Sequence, residues 1–192
     1  VPPPSSVAGK FIGIDPGHQE QHDDALEAVA PGSARTKARM SKGAVGVKSG
    51  MPEYKITLLV AQKLKELLEA AGAKVILTRA EHAVNVSNRE RALIMNDAKV
   101  DVWVRLHCDA AASPQLSGAR ALVPSRTANS AIYKESLTLS KALLDAFCEA
   151  TEAKKRTIVA QDDQTGFNWS ASPVVAVEMG YLSNVNDDTK LN

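Results

Sequence analysis

Pro173-Val174-Val175-Ala176-Val177-Glu178-Met179 is an almost unbroken apolar run with a single carboxylate near its end. A run of this length reads as a strand, and apolar character at every position, not at alternate ones, means burial on both faces. That is the situation of a central strand in a parallel sheet. Glu178 interrupts it, and a carboxylate there is costly to desolvate unless it is paired or metal-bound.

Upstream, the same alternation of element types repeats. Lys10-Phe11-Ile12-Gly13-Ile14-Asp15 is a short buried strand, broken by Pro16-Gly17. Pro52-Glu53 opens a helix, since proline suits the first turn and a carboxylate suits the positive end of the helix dipole. Its apolar positions are Ile56, Leu59, Val60, Leu64, Leu67, Leu68 and Ala71, with Gly72 as the C-terminal cap. Strands follow at Lys74–Arg79, Val100–His107, Gly118–Val123 and Thr157–Val159. Helices follow at Ser87–Ala98, with Ala92, Leu93 and Met95 inward, and at Ser130–Ala150. Gln19 to Gly50 lacks a hydrophobic period and reads as a long surface excursion with some local helix, a length usually reserved for loops that serve a site or move. The fold class is α/β: a three-layer sandwich with a mainly parallel central sheet flanked by helices.

The chain has 192 residues and a formal net charge of +1. That length fits one domain with a core that needs no disulfide or structural metal. The charge gives no footprint for nucleic acid, and no segment is long and apolar enough to span a membrane. Residues 1–9, opening Val1-Pro2-Pro3-Pro4, read as a linker or domain boundary, and 10–192 as the domain proper. A helix closing the last α/β unit is expected to be absent. Cys108 and Cys148 are too few for a disulfide framework or a cysteine zinc site and read as small hydrophobes.

Ligands of open α/β sheets bind outside the carboxyl ends of the strands. His18 follows the first strand, His107 ends the third, Glu178 ends the last, and Glu53 starts the helix reached by the long excursion. Two imidazoles and a carboxylate are a sufficient ligand set for one zinc ion with an open position. Such an ion lowers the pKa of water from about 15.7 to near 7. A second carboxylate, free of the ion, would take the water proton and pass it to a leaving amine. Glu53 is better placed as ligand and Glu178 as proton carrier, although the residues alone leave an exchange of these two roles open.

The ordered set of segments resembles the zinc-dependent N-acetylmuramoyl-L-alanine amidases, the type-3 amidase family of bacterial cell-wall hydrolases. The segments are Ile14-Asp15-Pro16-Gly17-His18, Glu53, Ala71-Gly72-Ala73-Lys74-Val75-Ile76-Leu77-Thr78-Arg79, Arg89-Glu90-Arg91, Leu106-His107 and Val177-Glu178-Met179-Gly180-Tyr181-Leu182-Ser183-Asn184. The resemblance implies His18, Glu53 and His107 as ligands of one zinc ion and Glu178 as the catalytic glutamate. It implies cleavage of the amide between N-acetylmuramic acid and L-alanine in peptidoglycan. The implied location is extracellular, in the cell wall or periplasm, with autolysin action and further wall-targeting domains in the full-length protein. A zinc peptidase cutting within the stem peptides, or a non-catalytic peptidoglycan-binding module of the same fold, are the alternatives. The chain departs from the family where Gln19-Glu20-Gln21 replaces glycines and where Arg105 and Asp109 replace a serine and an asparagine. Asn168 and Trp169 are candidates to line the substrate groove. Arg79, Arg89 and Arg91 are candidates for the muropeptide's carboxylates, with salt bridges inside the fold as their other use.

Overall fold

Residues 6–192 are described by a computed structural model. The elements in chain order are β1 (Phe11–Pro16), β2 (Asp23–Ala28), β3 (Thr36–Met40), α1 (Glu53–Ala70), β4 (Lys74–Leu77), α2 (Asn88–Ala98), β5 (Val102–Asp109), β6 (Ala119–Pro124), α3 (Ser130–Thr151), β7 (Lys155–Gln161), α4 (Thr165–Asn168), β8 (Val174–Tyr181) and α5 (Val185–Leu191). The central sheet has the order β4-β1-β5-β8-β6-β7. β4, β1, β5 and β8 run parallel; β6 pairs antiparallel with β8, and β7 runs parallel to β6. The sheet is therefore mainly parallel, with helices packed on it, as the alternation of elements predicts.

The run at 173–179 becomes β8 near the middle of the sheet, and its first four residues are fully buried or nearly so. Its two faces serve two cores. Val175 and Val177 join Ile14, Val104 and Leu106 beneath Ile56 and Ala61 of α1 and Leu144 of α3. Val174 and Ala176 join Trp103 and Leu122 beneath Ala92 and Met95 of α2 and Phe167 of α4. Side chains alternate along a strand, so the second face carries Trp103, Arg105 and His107 on β5 beside Val174, Ala176 and Glu178 on β8. The register puts Trp103 opposite Val174 and His107 opposite Glu178. That face is apolar at its start and polar at its carboxyl edge, where His107 and Glu178 line a cleft.

Several details differ from the sequence reading. The stretch from Gln19 to Gly50 contains the antiparallel hairpin β2–β3 and no helix. Its strands lack a continuous apolar face: Leu26 is 69% exposed, while Met40 is buried. Leu59 and Leu67 of α1 are exposed, and the helix instead buries Ile56, Thr57, Leu58 and Ala61. α1 ends at Ala70 with Ala71 as cap, and Gly72 follows with φ +89°. A closing helix is present: Asn184 accepts from the backbone N–H groups of Asn186 and Asp187 and starts α5. Of the expected linker, residues 1–5 lie outside the described residues, and Gly9 N–H donates to the Gly72 carbonyl at 2.8 Å. Both cysteines are free, Cys108 buried and Cys148 partly so. Among the described residues no helix is long and apolar enough to cross a membrane.

Candidate metal centre and cleft

β1 delivers the chain to the carboxyl edge and must turn sharply there. Pro16 ends the strand, and at Gly17 a Cβ would come 2.5 Å from both the His107 ring and the Leu106 carbonyl, so the close approach requires glycine. His18 then adopts φ +59°, in the left-handed region that side chains seldom occupy. The turn aims the imidazole back over the sheet edge. Its Nδ1 lies 2.9 Å from the Ser41 carbonyl, so Nδ1–H donates to that oxygen and Nε2 is the ring atom left to face the cleft. Nε2 faces Glu53 Oε1 at 3.2 Å.

Glu53 comes from the first turn of α1 and is 2% exposed. Its Oε2 accepts from Ala44 N–H at 2.8 Å and its Oε1 from Cys108 N–H at 2.9 Å. His107 reaches the same Oε1 through Nδ1 at 3.1 Å. The two imidazoles stand edge to face, with centroids 4.9 Å apart. Gly43, at φ +55°, completes the cradle, because a Cβ there would come 2.9 Å from the His18 ring.

The donor set fits a divalent metal. One ligand atom from each of His18, Glu53 and His107 lies within 4.8 Å of the others. His18 Nε2 and His107 Nδ1 approach the same carboxylate oxygen at 3.2 and 3.1 Å, so the three donors converge on one point that a proton or a cation can share. Burial disfavours the Glu53 charge, but the hydrogen bonds and charges of His107 and His18 outweigh it and hold the carboxyl well below the usual carboxylate range. Burial pulls the His107 imidazole down, aided by the charges of His18 and Arg105 and opposed by Glu53. A neutral imidazole and an ionised carboxylate are the forms that bind metals. The backbone donors on Glu53 and the Ser41 carbonyl on His18 fix the orientation of these groups.

Glu178 stands beside His107 on the neighbouring strand, with Arg120 opposite it on β6. Burial pushes its carboxyl up to about 8, and the charges of Glu53 and Asp109 add to this against Arg120 and Arg105. A carboxyl poised near neutrality can both accept and donate a proton. His18, His107, Glu178 and Arg105 line one cleft of about 330 Å³, walled by Met40 at the end of β3, by Ser41 after it and by Thr165 of α4. Lys37 bridges the rim to Asp163 at 2.9 Å. A larger open groove, about 920 Å³, lies between α3 and α5, but it holds no histidine and no ligand cluster. Chemistry, not size, selects the smaller cleft.

The residues expected to contact substrate do not reach the cleft. Arg79 and Arg91 are buried at 4% and 0% exposure, with their guanidinium groups committed to backbone carbonyls and to Asp15. Arg89 lies over the Trp169 ring at 5.4 Å. Trp169 is anchored by Nε1–H to the Ala28 carbonyl, under the hairpin, and Asn168 is buried with Nδ2 donating to the Asp162 carbonyl. The cleft is instead lined by Arg105, Lys37 and Asp163, which the sequence reading does not select as contacts. Arg105 carried a legible signal: it lies two residues before His107 on one strand, hence on the same face.

Comparison with known proteins agrees with this geometry. The sequence profile described as N-acetylmuramoyl-L-alanine amidase matches residues 12–192. An N-acetylmuramoyl-L-alanine amidase of Mycobacterium tuberculosis is 27% identical over 192 residues, covering 96% of this chain and 78% of that protein. A probable cell wall amidase of Staphylococcus epidermidis is 26% identical over 97% of this chain, which spans 53% of that protein. Among solved structures, the apo N-acetylmuramyl-L-alanine amidase of Mycobacterium abscessus shares the fold with a TM-score of 0.87 at 22% identity, covering 97% of this chain and 90% of that one. The catalytic domain of an N-acetylmuramoyl-L-alanine amidase from Bacillus (Paenibacillus) polymyxa gives 0.74 at 23% identity, covering 95% and 86%. The match runs through nearly every element that builds the cleft, from β1 to α5, and this chain belongs to the N-acetylmuramoyl-L-alanine amidase family.

Proposed function

We propose that this amidase hydrolyses the amide between N-acetylmuramic acid and L-alanine in peptidoglycan, with one zinc ion held by His18, Glu53 and His107 and with Glu178 as the catalytic base and acid. The observation that carries the reading is the meeting of those three ligand atoms within 4.8 Å, in a cleft that Glu178 also lines. The bound ion supplies Lewis-acid polarisation of a carbonyl and acidification of water. Glu178 takes a proton from the attacking water as its oxygen bonds to the amide carbon, and returns it to the nitrogen as the carbon–nitrogen bond breaks. The products are a free lactyl carboxylate and a stem peptide with a free L-alanine amine. Arg120 and Arg105 steady the ionised form of Glu178, and Lys37 and Asp163 border the entrance.

The domain comprises residues 10–192, with 1–9 as linker. It acts outside the membrane, in the cell wall or periplasm, as an autolysin, and further domains direct the full-length protein to the wall. Mass spectrometry of digested peptidoglycan tests the bond cleaved: stem peptides that begin with L-alanine, beside intact glycan, are expected. Shortened stems still joined to sugar would assign a peptidase instead. A chelator is expected to abolish turnover and added zinc to restore it. Glu178→Gln keeps a polar group of similar shape but cannot cycle a proton; a loss of roughly 10²–10⁴-fold in turnover is expected with zinc still bound. Unchanged turnover would remove Glu178 from the mechanism.

A further inference from the structure

Arg79 and Arg91 are buried beneath the turn that presents His18, and they donate to its backbone carbonyls. Arg79 Nε donates to the Pro16 carbonyl at 3.0 Å, and Arg91 Nη1 to the same carbonyl at 2.8 Å. Arg79 Nη2 donates to the Gly17 carbonyl at 3.1 Å, which also accepts from Thr57 Oγ1 at 2.8 Å. Arg91 Nη2 donates to the His18 carbonyl at 3.0 Å. Three successive carbonyls are thus held by two guanidinium groups arriving from different elements, one after β4 and one from α2. Arg91 is fully buried and Arg79 nearly so, and neither lines the cleft.

From this geometry we infer that Arg91 and Arg79 are positioning residues for the metal ligand His18. The inference rests on the metal reading above and concerns how the ligand is held, not what the ion does. The reason lies in the backbone at His18. A left-handed conformation at a residue with a side chain is disfavoured, and it persists only where the surroundings over-determine it. The Nδ1–H bond to Ser41 fixes the ring's rotation, but the peptide planes on either side of His18 set where Cα and Cβ stand. Those planes are set by the carbonyl contacts of the two arginines. The fork geometry of guanidinium is needed, since one planar group spans two carbonyls and Asp15 at once. A lysine ammonium keeps the charge beside Asp15 but cannot reach all three. Further contacts fix the arginines in turn, among them Asp15 on Arg91 at 2.7 Å, the Gln19 side chain on Arg91 at 2.9 Å, and the Tyr54 carbonyl on Arg79 at 2.8 Å.

The test is a zinc titration of the 192-residue chain against a chromophoric chelator, with the visible spectrum of the cobalt-substituted protein as a second readout. Arg91→Lys and Arg79→Lys are each expected to weaken zinc binding by about 10–100-fold, the usual loss when support of a ligand is removed, and to change the cobalt absorption. Leu144→Ala is the control: it truncates a fully buried side chain of α3 and lowers stability with no contact to the turn. Zinc affinity within twofold of the parent is expected there. Parent-like zinc affinity in both arginine variants overturns the inference, as does an equal loss in Leu144→Ala, because either shows that affinity does not depend on the clamp. If the arginine variants do not fold, Thr57→Val, which strips one donor from the Gly17 carbonyl, is read in the same titration. A several-fold weakening is expected, and an unchanged constant overturns the inference. Failure of the metal reading itself is seen separately, as absence of zinc binding by the parent chain.

Discussion

Asp15 is fully buried beneath the cleft and accepts from Thr78 Oγ1 at 2.5 Å, Arg91 at 2.7 Å and Arg105 at 2.8 Å. Burial alone would raise its carboxyl, but the charges of Arg91 and Arg105 and the bonds from Thr78 and Arg105 outweigh that and hold it far below the ordinary carboxylate range. A group depressed in the folded state stabilises the fold at every pH above its unfolded value, about 3.9, and loses that contribution as pH falls toward the folded value. Asp15→Asn leaves Arg91 and Arg105 buried without their counter-charge, a loss of about 3–5 kcal/mol at neutral pH. Urea denaturation from pH 7 to pH 3 is expected to show a flat deficit above about pH 5 that narrows below about pH 4. A deficit that stays constant down to pH 3 would show that the carboxylate's charge is not what stabilises the cluster.

At the scale of elements, α2 shows what local sequence fixes. Ser87 accepts from Glu90 N–H at 3.1 Å and Glu90 accepts from Ser87 N–H at 2.7 Å, a reciprocal capping box. The cap sets where the helix starts and so places Arg91 on its inner side, next to Ala92 and Met95. Ser87→Ala is expected to cost about 1 kcal/mol in a thermal or urea transition. A variant as stable as the parent would show that packing alone sets the start. The helix was legible because its signals are local. The hairpin β2–β3 was not: it buries Glu27 and Met40 on a strand pair that is otherwise largely exposed, so alternation is too weak to read. Leu59 and Leu67 misled for the opposite reason, since they follow helical spacing while α1 turns Thr57 and Ala61 toward the sheet. The convergence of His18, Glu53, His107 and Glu178 on one edge was legible because each falls where an element ends or begins at the carboxyl edge. The roles of Arg79 and Arg91 were not, because nothing in spacing distinguishes an arginine that meets a ligand from one that meets a backbone turn.

Across the whole molecule, the last helix fastens the first long loop. Asp188 of α5 is fully buried and accepts from Lys48 N–H at 2.7 Å, Ser49 N–H at 2.8 Å and Ser49 Oγ at 2.6 Å, and the Val47 N–H donates to the Leu182 carbonyl. The segment so held is continuous with Gly43 and Ala44, which cradle His18 and Glu53 from the other side. A contact some 140 residues apart in sequence thus supports the candidate metal site, and no window of sequence reveals it. Burial would raise the Asp188 carboxyl, but the bonds from Ser49 and Lys48 hold it below its usual value, so its support is present at neutral pH and is lost as pH falls through that lowered value. Asp188→Asn removes the charge and one acceptor oxygen while keeping the shape. Since a hydrogen bond to a charged acceptor contributes about 1.5–3 kcal/mol, a loss of about 2–3 kcal/mol is expected at pH 7. Amide exchange at residues 44–49 should accelerate, while exchange in β5 and β8 rises only with the global loss. Parent-like exchange at 44–49, with stability lowered, would place the role of Asp188 within α5 and separate the C-terminal helix from the centre.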